Sequence, residues 1–173
     1  ERSRIIQGGH KEDYLQNAET ILWEAYTTLP LKCSNTYMRG RNRGEERYVE
    51  RKMGEIMCLL AEIASERGEF DSARRIFQEA YSIAFGTGYW RLEYQILRAL
   101  ADLAVQQGDA GEAERNLDES IVLSNKHRDW YGERRGLIKL AELADQQGDA
   151  EKAEEIRSAI ELRRVQHYTH EVE

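Results

Sequence analysis

The sequence predicts an all-α fold, a right-handed solenoid of antiparallel helix pairs, from three observations. The phrase "QQGDAGEAE" at 106–114 returns forty positions later as "QQGDAEKAE" at 146–154. Charged residues make up 33% of the 173 residues and there is a single proline, which favours long polar helices over a loop-rich β protein. A fixed period in this range is typical of units that bury their apolar faces by stacking on one another.

Three copies of the repeat are visible when the chain is aligned with itself at an offset of 40. We infer repeats at about 48–85, 86–125 and 126–165. Five columns hold the same residue in every copy: Leu60, Leu100 and Leu140; Ala61, Ala101 and Ala141; Ala64, Ala104 and Ala144; Gly68, Gly108 and Gly148; Ala73, Ala113 and Ala153.

Each copy contains the pattern of two helices joined by a tight turn. Apolar residues of the second copy recur at spacings of three and four, as on one face of a helix: Trp90, Tyr94, Leu97, Leu100, Ala101 and Ala104. The glycine can then take a positive φ and end this helix, and the acid after it can cap the next one. In the second helix Ala113, Leu117, Ile121 and Ser124 are expected to point inward. The alanine columns let two helices approach closely.

The segments outside the three copies give a partial repeat and a tail. "AETILWEAY" at 18–26 aligns with "ARRIFQEAY" at 73–81, which predicts a helix at about 10–28. Residues 30–47 contain the proline, several glycines and polar residues, and are expected to form an irregular basic loop. Residues 166–173 are expected to be a tail. Because the chain starts at Glu1, we expect it to be part of a longer protein, whose truncated N-terminal face could support a homodimer.

The repeated pattern resembles the tetratricopeptide repeat. A small, a large and a small residue are followed by Gly-acid-x-x-x-Ala at the turn, over about 48–165. The period exceeds the usual ~34 residues and is similar to the lengthened repeats of kinesin light chains and of sensor arrays in bacterial regulatory ATPases and transcription activators. Trp90 and Trp130 lie near the family's large residue, whereas the first copy has Glu50 there, and the family's proline after the second helix is absent.

This resemblance implies a binding groove on the first helices of the pairs. The partner would be a peptide or a protein surface held on the concave side. A plain solvated helix face is the commoner explanation for any one of these residues, but the set as a whole indicates a groove. The groove residues carried over column by column are Glu55, Glu62, Gln95, Arg98, Asp102, Gln106, Arg135, Ile138 and Glu142.

One known variety of groove is not expected. The carboxylate clamp of the chaperone-binding members needs a Lys and an Asn in two columns. These columns read Cys58 with Glu62, Arg98 with Asp102, and Ile138 with Glu142. Arg98 and Arg135, which lie in neighbouring copies, could still bind an acidic partner.

Charge and composition bear on nucleic-acid and anion binding as alternative functions. The net charge of -7 and the sequence pI of 5.3 disfavour nucleic-acid binding through the whole surface, because an acidic surface repels phosphates. The segment "RGRNRGEER" remains an alternative RNA or anion site, or simply a solvated insert, through Arg39, Arg41, Arg43 and Arg47. A further alternative is a ligand- or peptide-sensing segment of a larger regulatory protein, acting in signal transduction or transcription.

No motif indicates catalysis, a cofactor or a metal site. The sequence lacks a phosphate loop after a strand and a nucleophile elbow, and its four histidines have no set of partner ligands. We therefore expect a protein that is not an enzyme. No apolar run approaches the ~20 residues of a membrane span. Cys33 and Cys58 lack CxxC spacing, so a reducing cytoplasm is expected.

Overall fold

A computed structural model describes the backbone of residues 2–36 and 43–170, and the side chains of residues 12–29 and 47–165. These residues are helical throughout apart from short turns, and the described part of the chain contains no strand. The all-α helical repeat fold is therefore confirmed. The helices are α1 (Arg2–Thr36), α2 (Arg43–Glu66), α3 (Phe70–Thr87), α4 (Trp90–Gln107), α5 (Ala110–Lys126), α6 (Trp130–Gln147) and α7 (Ala150–His170).

The helices form two compact units, Glu1–Gly88 and Tyr89–Glu173. In the first unit α1 packs on α2, and α2 packs on α3. In the second unit α4, α5, α6 and α7 pack in chain order, and α4 also contacts α6. The turns between consecutive helices of the second unit are two or three residues long, so neighbours run antiparallel. The first helices of its two pairs, α4 and α6, therefore lie side by side.

The repeated alanines are buried in both units. All nine are buried, with Ala61, Ala73, Ala104, Ala113 and Ala153 at 0% exposure. A methyl group at these positions lets the backbones of paired helices approach, whereas a larger side chain would separate them. In the second unit Ala101 and Ala104 of α4 pack with Leu117 of α5 and with Leu140 and Leu143 of α6.

The turn within each pair uses the predicted glycine. Gly68, Gly108 and Gly148 have φ of +80°, +79° and +80°, in the left-handed region that glycine adopts without a Cβ penalty. The acid that follows caps the next helix in two copies, where Asp109 accepts from the Glu112 amide at 2.8 Å and Asp149 accepts from the Lys152 amide at 3.0 Å.

The first copy departs from this cap. Glu69 makes no side-chain cap hydrogen bond. Its carboxylate sits one methylene farther from the backbone than that of aspartate, and glutamate is not among the residues favoured at the N-cap. The predicted capping role therefore holds for the two aspartates and not for Glu69.

Two boundaries differ from the sequence prediction. Helix α1 extends to Thr36 and α2 already begins at Arg43, so residues 30–36 and 43–47 are helical and not an irregular loop. Residues 37–42 lie outside the described residues. Pro30 lies within α1, because one missing amide donor weakens a helix without necessarily ending it. Helix α1 is also longer than the predicted 10–28, and α7 continues through 166–170 of the expected tail.

Candidate functional site

A shallow cavity lies on the α4 and α6 surface of the second unit. Its volume is about 380 Å³. Four of the residues that the sequence assigned to the groove line it, together with one that it did not assign. They are Arg98, Arg135, Ile138 and Glu142, with Lys139 as the addition. We call this set, together with Asp102, the α4–α6 face.

Arg98 is the one buried residue of this face. The residue is 7% exposed, although the sequence placed it among groove side chains that face solvent. Its guanidinium lies 4.8 Å from the centre of the Tyr94 ring, and Nη1 donates to the Gly132 carbonyl at 3.4 Å. Tyr94 is fixed in turn, because its hydroxyl donates to Asp129 Oδ2 at 2.9 Å. The stack and the hydrogen bond set the direction of the guanidinium.

Arg98 has charged neighbours of both signs. Burial lowers the pKa of Arg98, and the neighbouring Arg135 guanidinium lowers it further, while Tyr94, Asp102 and Asp129 act in the opposite direction. Asp102 is engaged elsewhere, since Lys139 Nζ donates to its two carboxylate oxygens at 2.5 and 2.7 Å. Among the described side chains, no carboxylate forms a salt bridge with Arg98 or Arg135.

A second, smaller cavity continues the same surface. It has a volume of about 60 Å³ and shares Lys139 and Glu142 with the first. Its other lining residues include Asp102, Val105 and Gln146, towards the ends of α4 and α6. The accessible surface therefore follows the length of the two helices and is not confined to one hollow.

The other predicted groove residues are not part of these cavities. Gln95 and Gln106 are exposed on α4. Glu55 and Glu62 belong to the first unit, where Glu55 forms an ion pair with Lys52 at 2.6 Å. Cys58 lies between these two glutamates in the sequence. Burial, and after it the charges of the two glutamates, raise the pKa of the Cys58 thiol to about 12, so the reactive thiolate is disfavoured at neutral pH.

The structure describes the backbone position of two of the four arginines in the predicted anion-binding loop. Arg39 and Arg41 lie outside the described residues. Arg43 is the first residue of α2, and Arg47 is exposed one turn further along the same helix. The anion site therefore stays a prediction, in which Arg43 and Arg47 belong to a helix.

Two features were missed by sequence reasoning. Lys139 follows Arg135 at a spacing of four, which places both on one helix face, so helical periodicity could have found it. The second feature is a stack of the Trp90 ring on the His127 ring, with centres 4.5 Å apart and planes inclined by 2°. Only the fold reveals this contact, because the two residues are 37 positions apart, on α4 and just after α5.

The first unit has a separate hollow of about 300 Å³ between its three helices. Trp23 and Tyr26 of α1 line it, and their rings meet edge to face at 5.6 Å. Arg67 closes one side by donating to Glu12 Oε1 at 2.9 Å and to Glu19 Oε2 at 2.6 Å. These contacts tie α1 to the end of α2.

Within residues 12–29 and 47–165, no three His, Cys, Asp or Glu side chains are grouped as metal ligands. None of the helices in the described part of the chain is both long and apolar enough to span a bilayer.

The repeats match a known sequence family. A tetratricopeptide repeat model matches residues 55–79, 95–119 and 134–157. The chain contains three tetratricopeptide repeats. Each match begins on the first helix of a pair and ends on the second, and successive matches start about 40 residues apart, which fits a lengthened tetratricopeptide repeat.

A solved structure shares the fold. The chain is similar to BtubC (BKLC) from P. vanneervenii, a crystal structure, with a TM-score of 0.66 and 19% sequence identity. The similarity covers 89% of this chain and 58% of that chain, so the chain spans little more than half the length of its structural relative. No curated protein sequence matches the chain.

The family defines the general role of the molecule. Tetratricopeptide repeats build scaffolds for interaction between proteins, and helical repeat folds of this kind typically serve as non-catalytic binding surfaces. Protein interaction is accordingly the role that the three repeats indicate for this chain.

Proposed function

We propose that the chain is an adaptor module that binds a peptide or partner surface on the α4–α6 face. One observation carries this proposal. Between two adjacent first helices, a cavity combines an apolar wall, Ile138, with two arginines that form no salt bridge with a carboxylate of the described residues. Arg98 is buried and lines this cavity, and burying a guanidinium is favoured when an anion pairs with it.

The packing of α4 and α6 makes this surface preformed. Both helices pack on α5, α4 through Ala101 and Ala104 and α6 through Leu140 and Leu143, so the side chains of the face are presented by packed helices. A rigid surface loses little conformational freedom on binding, and that saving contributes to affinity. Covering Ile138 would add apolar burial, while Arg135, Lys139 and Glu142 would select the partner by charge.

The partner must extend beyond the cavity. A hollow of 380 Å³ accepts one or two side chains, whereas a stable protein interface buries about 800 Å² on each partner. The smaller cavity continues the surface along α4 and α6. An extended or helical segment lying along both helices would meet the requirement for area.

Site-specific photo-crosslinking tests the location of the interface. A benzoylphenylalanine is introduced at Ile138, and in a second preparation at Val122, which is 67% exposed on α5. Both preparations are irradiated in an extract of the source cells, and adducts are identified by mass spectrometry. We expect one dominant protein adduct at 138 and none of that protein at 122. Equal adducts at the two positions would contradict the proposal.

Charge reversal then tests the chemistry of the face with the purified partner. Arg135→Glu combined with Lys139→Glu should reduce affinity by at least tenfold, a loss of about 1.4 kcal/mol. The matched control is Arg115→Glu with Arg134→Glu, which changes the net charge equally at exposed residues outside the cavity. Arg98→Glu is avoided, because a buried carboxylate at that position would destabilise the fold. Equal losses in both variants would indicate a non-specific charge effect and contradict the assignment.

A further inference from the structure

We propose that the α4–α6 face contains a carboxylate-binding subsite, in which Arg98 and Arg135 together hold an Asp or Glu side chain of the partner. This inference rests on the proposed function and adds the chemical class of the group recognised. The charged side chains that line the cavity carry a net positive charge. Arg98, Arg135 and Lys139 contribute three positive charges, and Glu142 contributes one negative charge.

The excess of positive charge remains after internal pairing. Lys139 is neutralised by Asp102, which leaves two guanidinium groups and one exposed carboxylate around the cavity. The two guanidinium groups repel each other, and this repulsion contributes to the lowered pKa of Arg98. An anion between them would remove the repulsion and would compensate the desolvation of Arg98.

The position of Arg98 suits a planar acceptor. Its stack on Tyr94 and its bond to the Gly132 carbonyl hold the guanidinium plane, so little side-chain freedom remains to be lost on binding. A guanidinium presents two parallel N–H groups to a carboxylate and binds it with a defined geometry. Arg135 is exposed on α6, on the same cavity, and can approach the same anion from the side.

Two further residues favour a carboxylate over a more highly charged group. Glu142 lies on the same cavity and repels a doubly charged phosphate more strongly than a singly charged carboxylate. Ile138 provides an apolar wall for the methylene groups of an acidic side chain. A lysine or arginine side chain is disfavoured by Arg98 and Arg135.

Small probes test this subsite in the full chain. The probes are N-acetylglutamate amide, its glutamine counterpart and inorganic phosphate, each added at constant ionic strength. The readout is the position of the arginine Nε–Hε resonances of protein labelled with ¹⁵N-arginine. We expect the glutamate probe to shift the resonances of Arg98 and Arg135 saturably, with no shift at Arg134 and no response to the glutamine probe.

Substitutions assign the effect to the two arginines. Arg135→Gln should abolish the saturable shift of Arg98, and Arg98→Lys, which keeps the charge and loses the fork, should weaken binding of the glutamate probe. Arg134→Gln is the matched control and should leave the titration unchanged. A shift of Arg134 equal to that of Arg98, or no shift with the glutamate probe, would overturn the subsite. Tighter binding of phosphate than of the glutamate probe would overturn the carboxylate assignment.

The outcomes separate this inference from the proposed function. A failed titration with an intact adduct at Ile138 removes only the carboxylate subsite. A saturable titration without any adduct at Ile138 removes the protein-binding role of the face and leaves an anion site.

Discussion

The packing of α5 against α6 predicts that a helix-favouring substitution will destabilise the chain. Gly136 is buried in α6, and a Cβ built on it would lie 2.6 Å from Cγ1 of Ile121 and 3.3 Å from Oγ of Ser120. Real Cβ atoms do not approach a neighbour at 2.6 Å. Cγ1 is not the free end of the isoleucine, and its β-branched side chain has few alternative rotamers, so Ile121 cannot move away cheaply.

Two opposing terms set the magnitude for Gly136→Ala. Alanine is favoured over glycine in a helix interior by about 1 kcal/mol. Overpacking a buried contact costs about 1 to 3 kcal/mol. The distance of 2.6 Å between the added Cβ and Ile121 Cγ1 is too short to be kept, so atoms must move. With an overpacking cost of about 2 kcal/mol and a helix gain of about 1 kcal/mol, we expect a net loss of about 1 kcal/mol in the free energy of unfolding. In an Ile121→Ala background the clash is absent, and the same substitution should stabilise by about 1 kcal/mol.

Urea unfolding followed by circular dichroism measures all four members of this cycle. The coupling between Gly136→Ala and Ile121→Ala should be about 2 kcal/mol. Gly111→Ala is the control, because a Cβ at Gly111 would meet nothing closer than 3.6 Å. Stabilisation by Gly136→Ala in the unaltered chain would refute the close approach of α5 and α6.

Three further predictions concern other parts of the structure. The Ser120 hydroxyl is buried without a hydrogen-bond partner. Ser120→Ala should therefore raise the unfolding free energy by about 1 kcal/mol in urea titrations. A loss of stability would show that the hydroxyl has a hydrogen-bond partner. Burial raises the pKa of Glu93, so the folded state binds this proton more tightly than the unfolded state and stability falls as pH rises above about 4.3. Glu93→Gln should therefore stabilise the chain more at pH 7 than at pH 4, and a gain independent of pH would contradict the assignment. Arg67→Gln should speed amide hydrogen exchange in α1 and leave α5 unchanged, since Arg67 holds Glu12 and Glu19 of α1; unaltered exchange in α1 would show that these ion pairs are not needed.

The repeat architecture was predictable because its main determinants are local in sequence. The glycines at the turns, the alanines at the helix contacts and the apolar spacing each occupy a fixed column, so three copies reinforce one another. The boundaries of α1 and α2 were less predictable. Pro30 and the glycines of 30–47 suggest a loop, but residues 30–36 and 43–47 are helical, because flanking helix-forming residues can outweigh one missing amide donor.

The α4–α6 face was predictable in part. Column alignment identified Arg98, Arg135, Ile138 and Glu142, all of which line the cavity. It did not show that Arg98 is buried, because burial depends on Tyr94 and on the missing side chain at Gly132, which lets α6 approach. Such a contact joins residues 34 positions apart and has no signature in the spacing of either helix.

The spectrum of isoleucine δ1 methyl groups, recorded with and without the partner that crosslinks at residue 138, tests the central claim most directly. Ile138 lines the cavity, whereas Ile160 is buried on α7. We expect the Ile138 methyl resonance to shift most and the Ile160 resonance to stay unchanged. An unchanged Ile138 resonance, with shifts at Ile160 or in the first unit, would place the partner elsewhere and contradict binding on the α4–α6 face.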